Sequence, residues 1–223
     1  MDAGLVIASK REVRHYADRA IPEDVRRRIL DAGRLAGSAQ NRQLRRFVVV
    51  EDANTRERLA ESVFEPGNIR GAAFIVAIVV GSGGPVAFDA GRAAQNMMLA
   101  AWNEGVGSSP NGTPDAEAVG ELIDVGENER VAIVLTFGYP AKPRDPTSLT
   151  VEEWTQRARR KPLEEIYEDP WHFDTAINNF MVKVFSLTPE EAAVLVLLRQ
   201  RLVEEPPRQL PGDDRGQGGL GRA

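Results

Sequence analysis

Positive charge is bunched in a chain that is acidic overall. KREVR (10–14), RQLRR (42–46) and RARRK (157–161) form basic islands in 223 residues with a net charge of −5 and a pI near 5.3. Each island can be a solvated face. The alternative is that two or more converge on a compact anion such as a phosphate, to which arginine offers forked, charge-assisted hydrogen bonds. A second set is neutral: GSAQNRQ (37–43) has no large apolar side chain and lies between a helix-like segment and the run FVVV. Ser and Asn bond readily to neighbouring backbone, so the stretch can be a turn into a strand. It can equally line a ligand, since Asn41 and Gln43, two apart in an extended stretch, would point the same way and present amides to a heterocycle or a polyhydroxylated chain. In GVGSSPNG (105–112), Gly105 can cap a helix in the left-handed region and Pro110-Asn111-Gly112 can form a tight turn. That turn would free backbone N–H groups to meet an electron-rich edge; a plain connecting loop is the competing reading.

Much chemistry is excluded. The absence of cysteine removes disulfides, thiolate zinc, iron–sulfur ligands and a cysteine nucleophile, and two histidines, His15 and His172, make a poor metal site. No catalytic residue, Ser/His/Asp arrangement or paired-carboxylate signature can be picked out. GSGGP (81–85) supplies Gly81 and Gly83 of a dinucleotide fingerprint, but Val86 stands at the third glycine position. An anion clamp, an amide lining and backbone donors remain, and they suit a bound cofactor that does the chemistry while the protein positions and tunes it. The acidic balance argues against nucleic acid or anionic membrane as partner. MDAGLVIASKRE has an apolar run too short for a signal-peptide core, and no window reaches membrane-spanning length, so a soluble cytoplasmic protein is expected.

The elements that must position these residues follow from apolar periodicity. Pro22 suits a first helical position, and Val25, Ile29, Ala32 and Ala36 recur at helical spacing, with Gly33 and Gly37 as candidate terminators. Residues 46–52, 72–80 and 130–140 read as strands, and their continuous apolar runs imply cover on both faces. Helices are predicted over 54–64, over 88–105 with Asp89 as N-cap, and over 114–123. Alternation of helices and strands gives an α/β or α+β sheet domain through residue 140. A further helix is expected over 188–205, with Thr188 before Pro189, and the Pro- and Gly-rich stretch beyond it is expected to be a disordered tail.

Read in order, these pieces resemble the nitroreductase family of FMN-dependent oxidoreductases. The resemblance spans about residues 8 to 168 and rests on SKREVRHYADRAIP, RLAGSAQNRQLRRFVVV, DAGRAAQNMMLAAWNEGVGSSP, IVLTFGYP and RRKPLEEI. It implies an α+β fold with a central β-sheet flanked by helices, used as an intertwined homodimer with two FMN sites at the subunit interface. By position, Lys10, Arg11 and Arg14 would approach the phosphate, the ribityl chain or the N1/O2 side of the flavin, and Arg160 with Lys161 would complete a phosphate clamp. Ser38, Asn41 and Gln43 would line the ribityl and ring-edge side, and Pro110, Asn111 and Gly112 would pass near N5 and O4. A fixed cation near N1 and O2 stabilises the negative charge that reduction places there, and Arg14 is the candidate for it. The sequence also departs from the family pattern. Glu12 stands where a small hydroxyl residue is usual, Gly37 and Leu44 replace prolines, and Arg45 replaces a common Trp, which implies a looser and more basic loop. Asn68 and Arg70 are the nearest candidates for the family's further Asn and Lys contacts.

The expected domains are a nitroreductase-like FMN-binding domain over 1–170, a helical extension over 171–205 and a tail over 206–223. The expected activity is hydride transfer from NADH or NADPH through flavin N5 to a small oxidised acceptor of quinone or nitroaromatic type, by a ping-pong mechanism. A flavin carrier or sensor without turnover, a same-fold enzyme that dehalogenates aromatics or breaks down flavin, and a dinucleotide-binding dehydrogenase are the alternatives.

Overall fold

A computed structural model describes residues 1–166 together with Thr188, Glu190, Glu191 and Val194. Two compact units are present, Met1–Arg160 and Lys161–Ala223. In the first, helices α1 (Ala3–Ser9), α2 (Glu23–Arg34), α3 (Ala53–Glu61), α4 (Pro66–Arg70), α5 (Val86–Asn103), α6 (Ala116–Leu122) and α7 (Val151–Arg157) surround strands β1 (Arg45–Val49), β2 (Phe74–Gly81), β3 (Gly107–Asn111) and β4 (Glu129–Gly138). Local chemistry sets several helix starts. Asp2, Asp52 and Asp115 each accept a hydrogen bond from a first-turn N–H, and Thr150 with Glu153 forms a reciprocal capping box at α7. Thr188 and Glu191 make the same reciprocal pair of bonds, as a helix start there requires; the rest of the expected extension and tail lies outside the described residues.

The strand order is β1-β2-β4-β3, and every pairing is antiparallel. Strands β2 and β3, joined by α5, run the same way but are separated by β4, so no adjacent parallel pair carries a dinucleotide fingerprint; GSGGP is a β2–α5 turn, with Gly83 and Gly84 at φ 89° and 71°. Side chains alternate along β2 into two apolar layers. Phe74, Val76, Ile78 and Val80 face one layer with Ile29 of α2 and Ala93 and Met97 of α5; Ile75, Ala77 and Val79 face the other with Leu59, Ile69 and Val119. This is the cover on both faces that the apolar runs imply, in an α+β arrangement of helix, sheet and helix.

Four local expectations are corrected. The helix-forming stretch 88–105 starts three residues before Asp89, which lies in the first turn rather than at the cap. Pro22 is the N-cap of α2 rather than its first residue, and Gly33 lies inside the helix against Met97 and Phe47 instead of ending it. The GVGSSPNG loop is in fact an edge strand: Gly107–Asn111 pair with Val134–Gly138 of β4, and Pro110 is tolerated because an edge leaves one row of backbone groups outside the ladder. Gly105 does take the left-handed conformation, at φ 73°.

The basic stretch 10–14 is an arm laid along the outer edge of β3. Val13 N donates to Ser108 O at 2.9 Å, and Glu12 bridges Ser108 in parallel fashion. Val6 and Val13 pack on Trp102 of α5, whose Nε1 donates to Ser9 Oγ at 2.9 Å. Among the described residues no helix is long and apolar enough to cross a membrane.

Candidate functional site

Two of the three basic islands meet, and the third is structural. Arg11 lies between the C-terminal ends of α1 and α7. Its Nη1 donates to Ala8 O and Lys10 O at 2.7 and 2.9 Å, its Nη2 to Trp154 O at 2.9 Å, and its guanidinium rests 5.2 Å from the Trp154 ring centre. Burial, and then the charges of Arg160 and Arg144, pull the Arg11 guanidinium below its usual value. Like charges are thus gathered where each destabilises the other. Among the described residues, none of Arg11, Arg14, Arg144 and Arg160 pairs with a carboxylate. Arg14 is exposed and, with Glu12, His15, Lys142 and Arg144, lines a cavity of about 430 Å³ between the arm and residues 140–144. Lys161 opens the second unit, exposed and 4.0 Å from Glu165.

Lys10 stands apart. Its side chain is only 8% exposed, with Nζ 2.5 Å from Glu12 Oε1 and 3.6 Å from Met98 Sδ. The carboxylate at position 12 therefore pairs with Lys10, neither with Arg11 nor with Arg14. In RQLRR, by contrast, Arg42 binds Gln40, Arg46 binds Glu129 at 2.7 Å, and Arg45 donates to the carbonyls of Gly33, Arg34 and Ala36 at the end of α2. Arg45 is a helix-end partner whose charge the neutral carbonyls leave in place.

The segment 38–43 is not extended, so Asn41 and Gln43 do not share a face through strand alternation. It folds into a short 3-10 turn over Ala39–Asn41, and Gln40, Asn41 and Gln43 take φ of 53°, 54° and 54°. Each left-handed residue other than glycine costs roughly 1–2 kcal/mol. The turn is held by Ser38 Oγ, which accepts from Gln43 N at 3.0 Å, and by Asp89 Oδ2, which accepts from Ala39 N at 3.1 Å. Asn41 and Gln43 remain exposed. Strain concentrated in an exposed polar loop is the pattern of a ligand-contacting segment. Within the chain this loop is fixed near Asp89, whereas the arm packs near Met98 and Trp102, roughly 14 and 20 Å further along α5 at the helical rise.

On β3, Asn111 is 4% exposed. Its Oδ1 accepts from Asn68 Nδ2 at 2.8 Å, and its Nδ2 donates to Ser109 O and Thr136 Oγ1 at 3.0 and 3.1 Å. The Asn111 amide is committed inside the protein, and the expected tight turn at 110–112 is replaced by strand; Pro110 and Gly112 are exposed at its end. Asn68 belongs to the same buried network, and Arg70 pairs with Glu57 on the surface. Sequence reasoning missed Arg144, Trp154 and the bond made by Asp89. Arg144 was legible as a basic residue in KPR (142–144), but its proximity to Arg11 depends on how the chain turns after β4.

The nitroreductase family model matches residues 7–78 and 85–139. A protein of Archaeoglobus fulgidus, provisionally named NADH dehydrogenase/NAD(P)H nitroreductase, is 31% identical over 151 residues, covering 63% of this chain and 86% of its own. The NADPH-flavin oxidoreductase of Vibrio harveyi is 27% identical over 176 residues, covering 66% and 71%. Among solved structures, a provisionally named nitroreductase of Desulfovibrio desulfuricans in complex with FMN superposes with a TM-score of 0.64 at 26% identity, covering 76% of this chain and 97% of that one.

Proposed function

The chain belongs to the nitroreductase family, and from that premise we propose that it is an FMN-dependent oxidoreductase moving a hydride from NADH or NADPH to a small oxidised acceptor of quinone or nitroaromatic type. The observation that carries this is that Arg11, donating to Trp154 O at the end of α7, meets basic residues from distant parts of the sequence: burial first, and then the charges of Arg160 and Arg144, hold its guanidinium below its usual value. Such a cluster fits a phosphate, because a dianion relieves the mutual repulsion and accepts forked hydrogen bonds. Bound there, FMN supplies hydride acceptance and donation at N5.

The protein's own residues do the rest. Arg160 would clamp the phosphate, and Arg11 would supply fixed charge from its carbonyl-lined seat. Arg14, exposed on the arm, would place a cation beside N1 and O2, where reduction adds negative charge. The neutral loop of Ser38, Asn41 and Gln43 would line the ribityl and ring-edge side, and the exposed end of β3 at Pro110–Gly112 would pass the N5/O4 edge. Loop and arm lie at opposite ends of α5 in one protomer, so a homodimer that sets the loop of one against the arm of the other completes each site. Reductant and acceptor use one cavity in turn, which gives ping-pong kinetics.

Purified protein is expected to be yellow, with a flavin absorbance band bleached anaerobically by NADH or NADPH; a colourless preparation that ignores added FMN overturns the proposal. Arg160→Ala removes charged hydrogen bonds worth about 1.5–3 kcal/mol, and is expected to weaken FMN by roughly tenfold to hundredfold while sparing riboflavin, as measured by flavin fluorescence quenching. One observation favours a second reading, a flavin carrier without turnover: the Glu12 carboxylate sits beside Lys10, where a hydroxyl is usual in the family. Stoichiometric FMN with no nicotinamide oxidation across acceptors is the result that selects it.

A further inference from the structure

We propose that Glu12 sets how firmly the site holds the flavin phosphate, by keeping Lys10 in an ion pair that an incoming phosphate must break. The proposal rests on the FMN reading above and concerns the arm's own electrostatics. Of the cations at 10, 11 and 14, Arg11 already donates to three carbonyls, those of Ala8, Lys10 and Trp154. Arg14 is exposed and unpaired among the described residues. Lys10 is the one with an anionic partner, Glu12 at 2.5 Å, and its side chain is only 8% exposed.

A largely buried ammonium needs a counter-charge. Glu12 supplies one before any ligand arrives. Its backbone is fixed by the bridge to Ser108, and its side chain is 41% exposed. A phosphate that recruits Lys10 displaces this carboxylate into a position close to a dianion, where like charges repel. Glu12 therefore opposes phosphate binding twice, by occupying Lys10 and by adding negative charge beside the ligand. A neutral hydroxyl at the same position does neither. The consequence is weak discrimination between FMN and riboflavin, which lacks the phosphate, and ready exchange of the cofactor.

The test compares wild type, E12Q and E12S after flavin removal, measuring dissociation constants for FMN and riboflavin by fluorescence quenching, with flavin-induced thermal shifts alongside. Both variants are expected to bind FMN about tenfold more tightly, with riboflavin moving less than about twofold, and to melt lower than wild type without ligand because Lys10 is left unpaired. The FMN-induced thermal shift should grow accordingly. In a Lys10→Met background the gain from E12Q should shrink to the part owed to like-charge repulsion alone, and an undiminished gain overturns the role of the Lys10 pair. Equal FMN affinity in wild type and both variants, or equal tightening of both flavins, overturns the role of Glu12 and leaves the FMN reading standing. Failure of every protein to bind either flavin overturns both. Should E12Q not fold, E12S carries the same comparison, and circular dichroism separates that case.

Discussion

Tyr16 ends the basic arm with its hydroxyl 3.0 Å from Thr136 Oγ1, and burial pushes its pKa up to about 12, the Thr136 bond opposing and the Glu12 charge adding a smaller push. An unfolded tyrosine ionises near pH 10. Between those values the unfolded chain releases a proton that the folded chain keeps, so stability fully present below pH 10 is lost as pH rises toward 12, by up to about 3 kcal/mol. Tyr16→Phe is expected to flatten that loss in denaturant titrations and to remove the last tyrosine step from an ultraviolet pH titration; an unchanged profile would show that Tyr16 is not the group concerned. Thr136 keeps its bonds to Asn111 and Ser109 in that variant, so no buried hydroxyl is orphaned. At this scale the sequence was legible by residue type and blind to commitment. Nothing in the string distinguishes Arg11, beside two other cations, from Arg46, paired with Glu129. Asn111 and Asn41 are the same amide, yet one is enclosed by Asn68 and Thr136 and the other is exposed on a strained turn.

The arm depends on two elements that give it room. A Cβ at Gly107 of β3 would lie 2.6 Å from Val13 Cβ, and one at Gly138 of β4 would lie 2.6 Å from Tyr16 Cγ. Those partner atoms sit at or next to the backbone and cannot swing aside, so the whole arm must shift. Gly107→Ala is therefore expected to cost roughly 1–3 kcal/mol in chemical denaturation and to weaken FMN binding, because Lys10 and Arg14 move with Val13. A variant destabilised by that amount with unchanged FMN affinity would separate the arm from the site. Strands β1, β2 and β4 were legible because their apolar runs exceed any turn signal. Strand β3 was not, since a glycine, two serines, a proline and an asparagine spell a turn in local chemistry, and its strand state comes from pairing with β4 on one side and with the arm on the other. Its small residues are what let the arm approach.

At the scale of the molecule, the homodimer we propose needs an apolar face, and exposed apolar side chains offer a candidate. Leu35 and Phe88 are 65% and 67% exposed and line one groove of about 660 Å³ with Ala36, Gly37 and Arg92. A second trough, of about 920 Å³, lies beside α2, where Leu30 and Phe47 are flanked by charged residues such as Arg27, Asp31 and Arg34. Large apolar side chains held this far into solvent beside small residues are characteristic of an interface rather than of a monomer surface. The sequence concealed this, because Phe88 in FDAGRAAQNMM reads as one more apolar residue of a core helix, while its actual direction is set by the helix starting at Val86. The groove also adjoins Gly37, the entry to the loop of Ser38, Asn41 and Gln43, so a partner seated there meets the proposed flavin site. Phe88→Glu is expected to convert a species of twice 24.5 kDa into monomers in sedimentation at micromolar concentration, and to release flavin as it does so. Monomers that still hold FMN at wild-type affinity would mean that loop and arm serve the flavin within one chain, across the length of α5. Dimers that persist and keep their flavin would place the interface on another face.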